Sequence, residues 1–374
     1  MGTRVAVTPL TDIDLRALTE ESADHDCYLS IYLPTATKVD MQANASFLET
    51  RAEAIQRFLP PEMEGQFRET WESLGEGLLK EAVPGERGRV VFVSSCEEFL
   101  EAYRLPVAPA RLLVLDNSPY ILPLTRLLDD HEDYGIVLMD SQEAAFYLVR
   151  STQMEQVASA SIDLMNRHKK GGMSQKRFNR LRRGQIDEFI DQVIEDLDRL
   201  QEMKGLRGLV IAGPGEVKTL LVDTLPPRYA KLLLGTVDID MDVRQTELQA
   251  HTEALARADE VSDEQAAVEA LRRAIYKDGL AAVGLEETRS ALARSRVSVL
   301  LLEQGLTLRG WSCETCRAFA DGPGKCPRCG GKLSESELVN ELVEMAELSG
   351  ADVQHVHDAP FLEEIGGVAA VLRY

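Results

Sequence analysis

Four cysteines near the C-terminal end, Cys313, Cys316, Cys326 and Cys329, are spaced C-x2-C-x9-C-x2-C. Two facing Cys-x-x-Cys turns can close a tetrahedral shell of four thiolates around zinc. A closed shell leaves no position for water, so such a centre is structural and a metalloenzyme reading is disfavoured. The segment Cys326-Pro327-Arg328-Cys329-Gly330 has the form of a zinc knuckle. Disulfides are the alternative pairing, but the N-terminus, MGTRVAVTPLTDID, has no apolar run of signal-peptide length, and reduced paired turns more often hold metal. The two remaining cysteines, Cys27 and Cys96, lie beside apolar runs and read as small buried hydrophobes.

The second stretch with chemical content is RHKKGGMSQKRFNRLRR, Arg167 to Arg183. It carries eight Lys/Arg and no acid in a chain of 374 residues whose net charge is -21, leaving -29 elsewhere. The dipeptide Gly171-Gly172 lets the backbone bend sharply and approach another molecule closely. Phe178, Leu181, Ile186, Phe189, Ile190, Val193, Ile194, Leu197 and Leu200 then recur at helical spacing, with Ser174 as the expected N-cap. Lys176, Arg177, Arg180, Arg182 and Arg183 sit at the positive end of that helix, against its dipole. Helix stability favours the reverse arrangement, whereas phosphate binding favours this one. A charge run is usually a solvated face, and Gly-Gly a hinge; the alternative is an RNA-binding tip formed by Lys169, Lys170 and the five helical cations.

No Ser-His-Asp set, no Cys nucleophile with its base and no carboxylate pair can be located beside Gly171, so hydrolysis by protein groups alone is poorly supported. His355 and His357 lie two apart on an expected strand with nothing to complete a triad. His168 reads as an RNA contact rather than a base. Gly213-Pro214-Gly215 fits no dinucleotide or Walker spacing and reads as an ordinary strand-to-helix turn. No stretch approaches the roughly 20 apolar residues that span a membrane, and the expected location is the cytoplasm. Strong acidity confines any RNA contact to patches.

These residues need elements to position them. Residues 1–133 alternate strands and helices: Cys27 to Leu33, Gln42 to Phe58, Met63 to Leu79, Arg89 to Val93, Leu100 to Leu105 and Leu112 to Leu115. A second domain, 134–272, opens with three short strands that lead into the basic loop and long helix, followed by a strand at Gly208 to Ala212. A charged helix from Gln245 to Lys277 leads into a third domain, 273–374. There, helix and strand alternate as in a three-layer α/β sandwich, with the cysteine ribbon inserted at 311–332. Ser334 and Glu337 form an expected capping box, and Gly350 a stop.

The segment GGMSQKRFNRLR resembles the Gly-Gly-Gln loop of archaeal and eukaryotic class-1 peptide-chain release factors, and the ending GGVAAVLRY resembles their last residues. Met173 stands where that family has its Gln, and Gln175 lies two residues later, as in a Gly-Gly-x-Ser-Gln variant that resembles bacterial relatives. The resemblance implies a three-domain α/β architecture with a C-terminal zinc ribbon. It also implies ribosome-assisted hydrolysis of peptidyl-tRNA, in termination or rescue, with Gly171, Gly172 and Gln175 as candidate catalytic residues. The implied partners are the ribosome, peptidyl-tRNA, and a GTPase or recycling ATPase engaged through the third domain. The family's Asn-Ile-Lys-Ser and Tyr-Cys-Phe decoding motifs are missing from residues 1–133. An adaptor of the Pelota kind, which recruits such partners without catalysis, is the alternative.

Overall fold

The computed structural model describes residues 8–9, 13–74, 86–129, 134–150, 153–162, 173–204, 206–313 and 315–374. The chain is of mixed α/β type and divides into two compact units: Met1–Asp130 together with Glu264–Tyr374, and His131–Asp263.

In the first unit, β1 (Thr8–Pro9), β2 (Tyr28–Pro34), β3 (Gly88–Ser94), β4 (Leu100–Leu105) and β5 (Leu112–Asp116) form a sheet in the order β1-β4-β3-β2-β5. Strand side chains alternate between faces, and both faces here are apolar. Leu29, Ile31, Leu33, Val91 and Val93 pack against α2 (Lys38–Gln56) and α3 (Pro61–Ser73). A capping box at Thr37 and Asp40 opens α2, and Pro61 stands at the first position of α3. Tyr32, Val90, Phe92, Tyr103 and Leu105 point the other way, into a core shared with the C-terminal segment. The helix α1 (Leu15–Glu20) and α4 (Leu122–Asp129) belong to this shared core.

The C-terminal segment contributes β11 (Ala281–Val283), β12 (Val297–Glu303), β16 (Asp352–Val356) and β17 (Val368–Leu372), ordered β11-β17-β12-β16. The helices α9 (Gly284–Leu292) and α10 (Leu338–Ser349) cover one face. Leu301, Val356 and Ala369 pack on the other face with α11 (Pro360–Glu364) and the end of α8 (Gln245–Arg273). Helices on both faces make the expected three-layer sandwich. Gly350 ends α10 in the left-handed region at φ 63°, as expected. The expected capping box does not form. Ser334 lies in β15 (Leu333–Glu337), and Glu337 is itself the N-cap, accepting from the Asn340 amide at 2.7 Å. A small sheet, β14-β13-β15, joins β15 to β13 (Arg309–Cys313) and β14 (Phe319–Ala320) and carries the cysteines.

In the second unit, β6 (Tyr134–Met139), β7 (Glu143–Arg150), β8 (Gln153–Ser161), β9 (Gly208–Ala212) and β10 (Leu233–Val237) are ordered β10-β9-β6-β7-β8. The helices α5 (Met173–Lys204), α6 (Val217–Thr224) and α7 (Pro227–Ala230) pack on the Val137, Phe146 and Ile211 face. Leu248 of α8 lies on the opposite face with Ile136, Leu138 and Val210.

Candidate functional site

The helix α5 has two halves of different character. Phe189, Ile190, Val193 and Leu197 are buried against the sheet, each stabilising the fold by about 1.5–3 kcal/mol. Asp198 ties the same half to α7: the Arg228 guanidinium donates to its carboxylate at 2.5 Å, and the Tyr229 hydroxyl also donates to it. Those bonds, the Tyr229 one foremost, hold the Asp198 carboxyl below its ordinary range.

Toward the N-terminus the packing thins, with Ile186 half-buried against the core. From Arg180 to Glu188 no side chain is buried, a stretch of about 14 Å of helix at 1.5 Å per residue. Helical backbone continues to Met173, about 24 Å from Phe189 along the axis. Leu181, read as part of the apolar stripe, is 47% exposed. At Leu181 the stripe continues in sequence without being buried. Arg180 and Arg183 are exposed and Arg182 is half-buried, and none of the three makes an ion pair with a described residue. There is no acid in the first turn. The result is a cationic arm rooted in the second unit by its other half.

Because the helix starts at Met173, Ser174 is its second residue and not its N-cap, and Gln175 is its third. Gln175, Lys176 and Arg177 thus lie in the first two turns, with side chains outside the described set. Lys169, Lys170, Gly171 and Gly172 lie outside the described residues.

The cysteine quartet comes together as its spacing requires. Cys313 and Cys329 sulfurs are 3.4 Å apart, Cys316 and Cys326 sulfurs 3.6 Å, and all four lie within 4.8 Å of one another. These separations exceed the ~2.05 Å of a disulfide and suit thiolates around one ion. Backbone amides point at the sulfurs: Arg328 N–H to Cys326 and Gly331 N–H to Cys329, each at 3.4 Å. Amides of Cys329 and Arg328 push the Cys326 thiol down to about 6, toward the thiolate a metal needs. A Cβ on Gly331 would stand 2.6 Å from the Thr315 hydroxyl and 3.1 Å from the Cys313 sulfur, so any other residue here requires Thr315 to move. The four cysteines could hold a metal ion.

Other sequence candidates take structural places. Lys218, buried at the start of α6, donates to the carbonyls of Gly213 and Gly215 at 2.8 and 2.9 Å and pairs with Asp238. Its ammonium fills the turn that a phosphate cradle would need empty. Gly213 sits at φ 140°, where a Cβ would meet the Met139 carbonyl at 1.8 Å. His355 is buried, its amide donating to Asp129 and its ring beside the Thr125 hydroxyl, and burial pushes its pKa down to about 3. His357 pairs with Glu264 at 3.0 Å. Cys27 is buried as expected, but Cys96 is only half-buried and stands 3.1 Å from the His25 ring. No helix among the described residues is long and apolar enough to cross a membrane.

Comparison with known proteins follows the same division of the chain. Residues 119–258 match the model of bacterial archaeo-eukaryotic release factor family 10, and residues 261–374 match domain 3 of the eukaryotic-type release factor. Peptide chain release factor subunit 1 of Methanocaldococcus jannaschii is 29% identical over 344 residues, covering 79% of this chain and 80% of that one. Its counterpart in Pyrococcus abyssi is 28% identical over 71% of this chain and 72% of its own length. Among solved structures, ribosome-bound archaeal Pelota aligns over 99% of this chain and 95% of that one, at 19% identity and a TM-score of 0.42. Two adjoining segments are thus matched by release-factor models, and homologues over more than two thirds of the chain carry one name: the chain is a relative of the archaeo-eukaryotic release factors.

Proposed function

We propose that this protein is a release-factor-like translation factor that promotes hydrolysis of peptidyl-tRNA on the ribosome, in termination or in rescue of stalled ribosomes. The observation that carries this reading is the arm of α5. Its arginines are unpaired among the described residues, run against the helix dipole, and follow directly on Gly171-Gly172 in a chain of this family. Cations with no partner of their own are suited to rRNA or tRNA phosphates, and a contact of this kind weakens as salt rises.

In this reading the protein supplies position more than chemistry. The arginines fix the arm on RNA, and the glycines let backbone approach the ester without a Cβ in the way. Amides at the tip, including the orphan N–H groups of the first helical turn, orient a water and stabilise the developing oxyanion. With Met173 as the first helical residue, Gln175 is the third residue of the helix, and in this reading the backbone does the positioning. Cys313, Cys316, Cys326 and Cys329 would hold one structural zinc, which supplies rigidity to the ribbon and no reaction step. The C-terminal segment, matched to domain 3 of the family, is the face for a GTPase or a recycling ATPase.

The test is release of labelled peptide from programmed ribosomes with stop, sense or empty decoding sites, using the wild type and the Gly171→Ala, Gly172→Ala double variant. Release by the wild type and none by the double variant is expected. Stop dependence identifies termination, and release from empty or stalled sites identifies rescue. Ribosome binding with no release under any condition would replace this reading with the Pelota-like adaptor, which Met173 in place of the family Gln favours.

A further inference from the structure

Outside the ribbon, the N-terminal sheet gathers a second set of soft ligand atoms. Cys27 stands immediately before β2, and Cys96 follows β3 by two residues. Antiparallel pairing sets Tyr28 opposite Ser94, and the Ser95 amide donates to the Cys27 carbonyl at 2.8 Å, so the sheet register fixes both cysteines side by side. The Cys96 amide donates to the Ser94 hydroxyl at 3.1 Å, which turns the chain back over the strand end. His25 comes from the loop before β2 and places Nε2 3.1 Å from the Cys96 sulfur. The imidazole nitrogen and both sulfurs lie within 4.8 Å of one another, the same limit that the ribbon quartet meets.

We infer that His25, Cys27 and Cys96 form a second metal site, taking zinc through one imidazole and two thiolates. Borderline-soft nitrogen and sulfur donors select zinc over calcium or magnesium. Zinc-to-ligand bonds of about 2.0–2.3 Å place tetrahedral ligands roughly 3.3–3.8 Å apart, and small rotations of His25 and Cys96 reach this from the observed spacing. Three ligands leave a fourth position, which is the pattern of an open site and not of the closed ribbon. His25 and Cys96 line a cleft of about 520 Å³, whose far side is formed by Cys313 of the ribbon and Arg317, so the fourth position has room for a water. Four acids, Asp24, Glu97, Glu341 and Glu344, against one cation, Arg317, favour a metal ion there, and a water completes the shell. A buried Cys27 in this place is an anchoring ligand, which accounts for a thiol whose side-chain neighbours are Ser94 and Cys96.

The site is independent of peptide release, and metal content tests it directly on the full chain. Protein purified with a thiol reductant and without chelator is expected to hold two zinc ions per chain. His25→Ala and Cys96→Ser, both at positions that are not fully buried, are each expected to hold one. The Cys326→Ser, Cys329→Ser double variant is also expected to hold one, and adding Cys96→Ser to it is expected to leave none. Metal-stripped ribbon double variant titrated with cobalt(II) alone is expected to show thiolate-to-metal absorption at one equivalent, lost with Cys96→Ser. A wild type and a Cys96→Ser variant with equal zinc after saturation with zinc(II) would overturn the proposal. So would a Cys27–Cys96 disulfide in protein kept under reductant.

Discussion

Met173 and Gln175 differ by two helical positions, and those positions separate two mechanisms. Since α5 starts at Met173, Gln175→Ala is expected to leave release nearly unchanged, and Met173→Gln to increase it by returning a carboxamide to the tip. Release rates of the two variants side by side check this; a loss of about a hundredfold in Gln175→Ala would instead give that side chain a transition-state contact. Glu344 offers a residue-scale test of the shared core. Its Oε1 accepts from the Ser118 hydroxyl and the Asn340 side-chain Nδ2, each at 2.8 Å. Burial pushes its carboxyl up to about 8, with Glu341 and Asp116 adding to the shift and Arg317 opposing it. Between its ordinary value, near 4.5, and 8 the folded chain keeps a proton that the unfolded chain has lost, so raising the pH across this window weakens the fold. Asp116, pushed up to about 7 by burial, acts in the same direction. The urea midpoint is therefore expected to fall from pH 5 to pH 8, and to fall less in Glu344→Gln, which keeps an accepting oxygen. Parallel profiles for the two proteins would remove Glu344 as the source.

Among the elements, most strands were legible because apolar runs bounded by turn residues are a local signal: Leu100–Leu105 and Gly208–Ala212 lie where the sequence places them. The strand Leu233–Val237 was missed, since Gly235 interrupts its pattern and only pairing with β9 makes it a strand. The ribbon was legible because metal-ligand spacing is local. The His25 and Cys96 contact was not, because 71 residues separate the partners, and the short spacing from His25 to Cys27 was its one sequence trace. The helix α5 was legible in period but not in packing, as Leu181 shows. Replacing Arg180, Arg182 and Arg183 by Ala is expected to change stability by no more than about 0.5 kcal/mol, because no core contact is lost. The same triple variant is expected to weaken ribosome binding and to lower the slope of log affinity against log salt by roughly two to three. Filter binding at several salt concentrations reads both. An unchanged slope would place the RNA contact elsewhere.

At the scale of the molecule, the sequence marks three successive regions but not that the first and last share a core. That Val90 and Phe92 share one core with Leu342 and Val343 leaves no mark in either segment alone. Asn340 shows how closely they are joined. Its carbonyl accepts from the amides of Ile121 and Leu122 at 3.1 and 3.0 Å, so a residue of α10 caps the start of α4. Asn340→Ala leaves both amides buried without that partner and is expected to cost about 2–6 kcal/mol, at about 1–3 kcal/mol for each unmade bond. Denaturant unfolding measures it, and a change below 1 kcal/mol would mean that water replaces the cap.

The first unit is discontinuous in the chain, with His131–Asp263 inserted between its parts. During synthesis the N-terminal sheet emerges with one face already covered by α2 and α3, while the face of Tyr32, Val90 and Phe92 has only the short helices α1 and α4 against it until α10 is made, roughly two hundred residues later. At ~5–20 residues per second that wait lasts on the order of 10–40 s. A nascent chain of this protein thus carries a half-covered apolar sheet face through most of its own translation, and its yield in the cell depends on what shields that face in the interval.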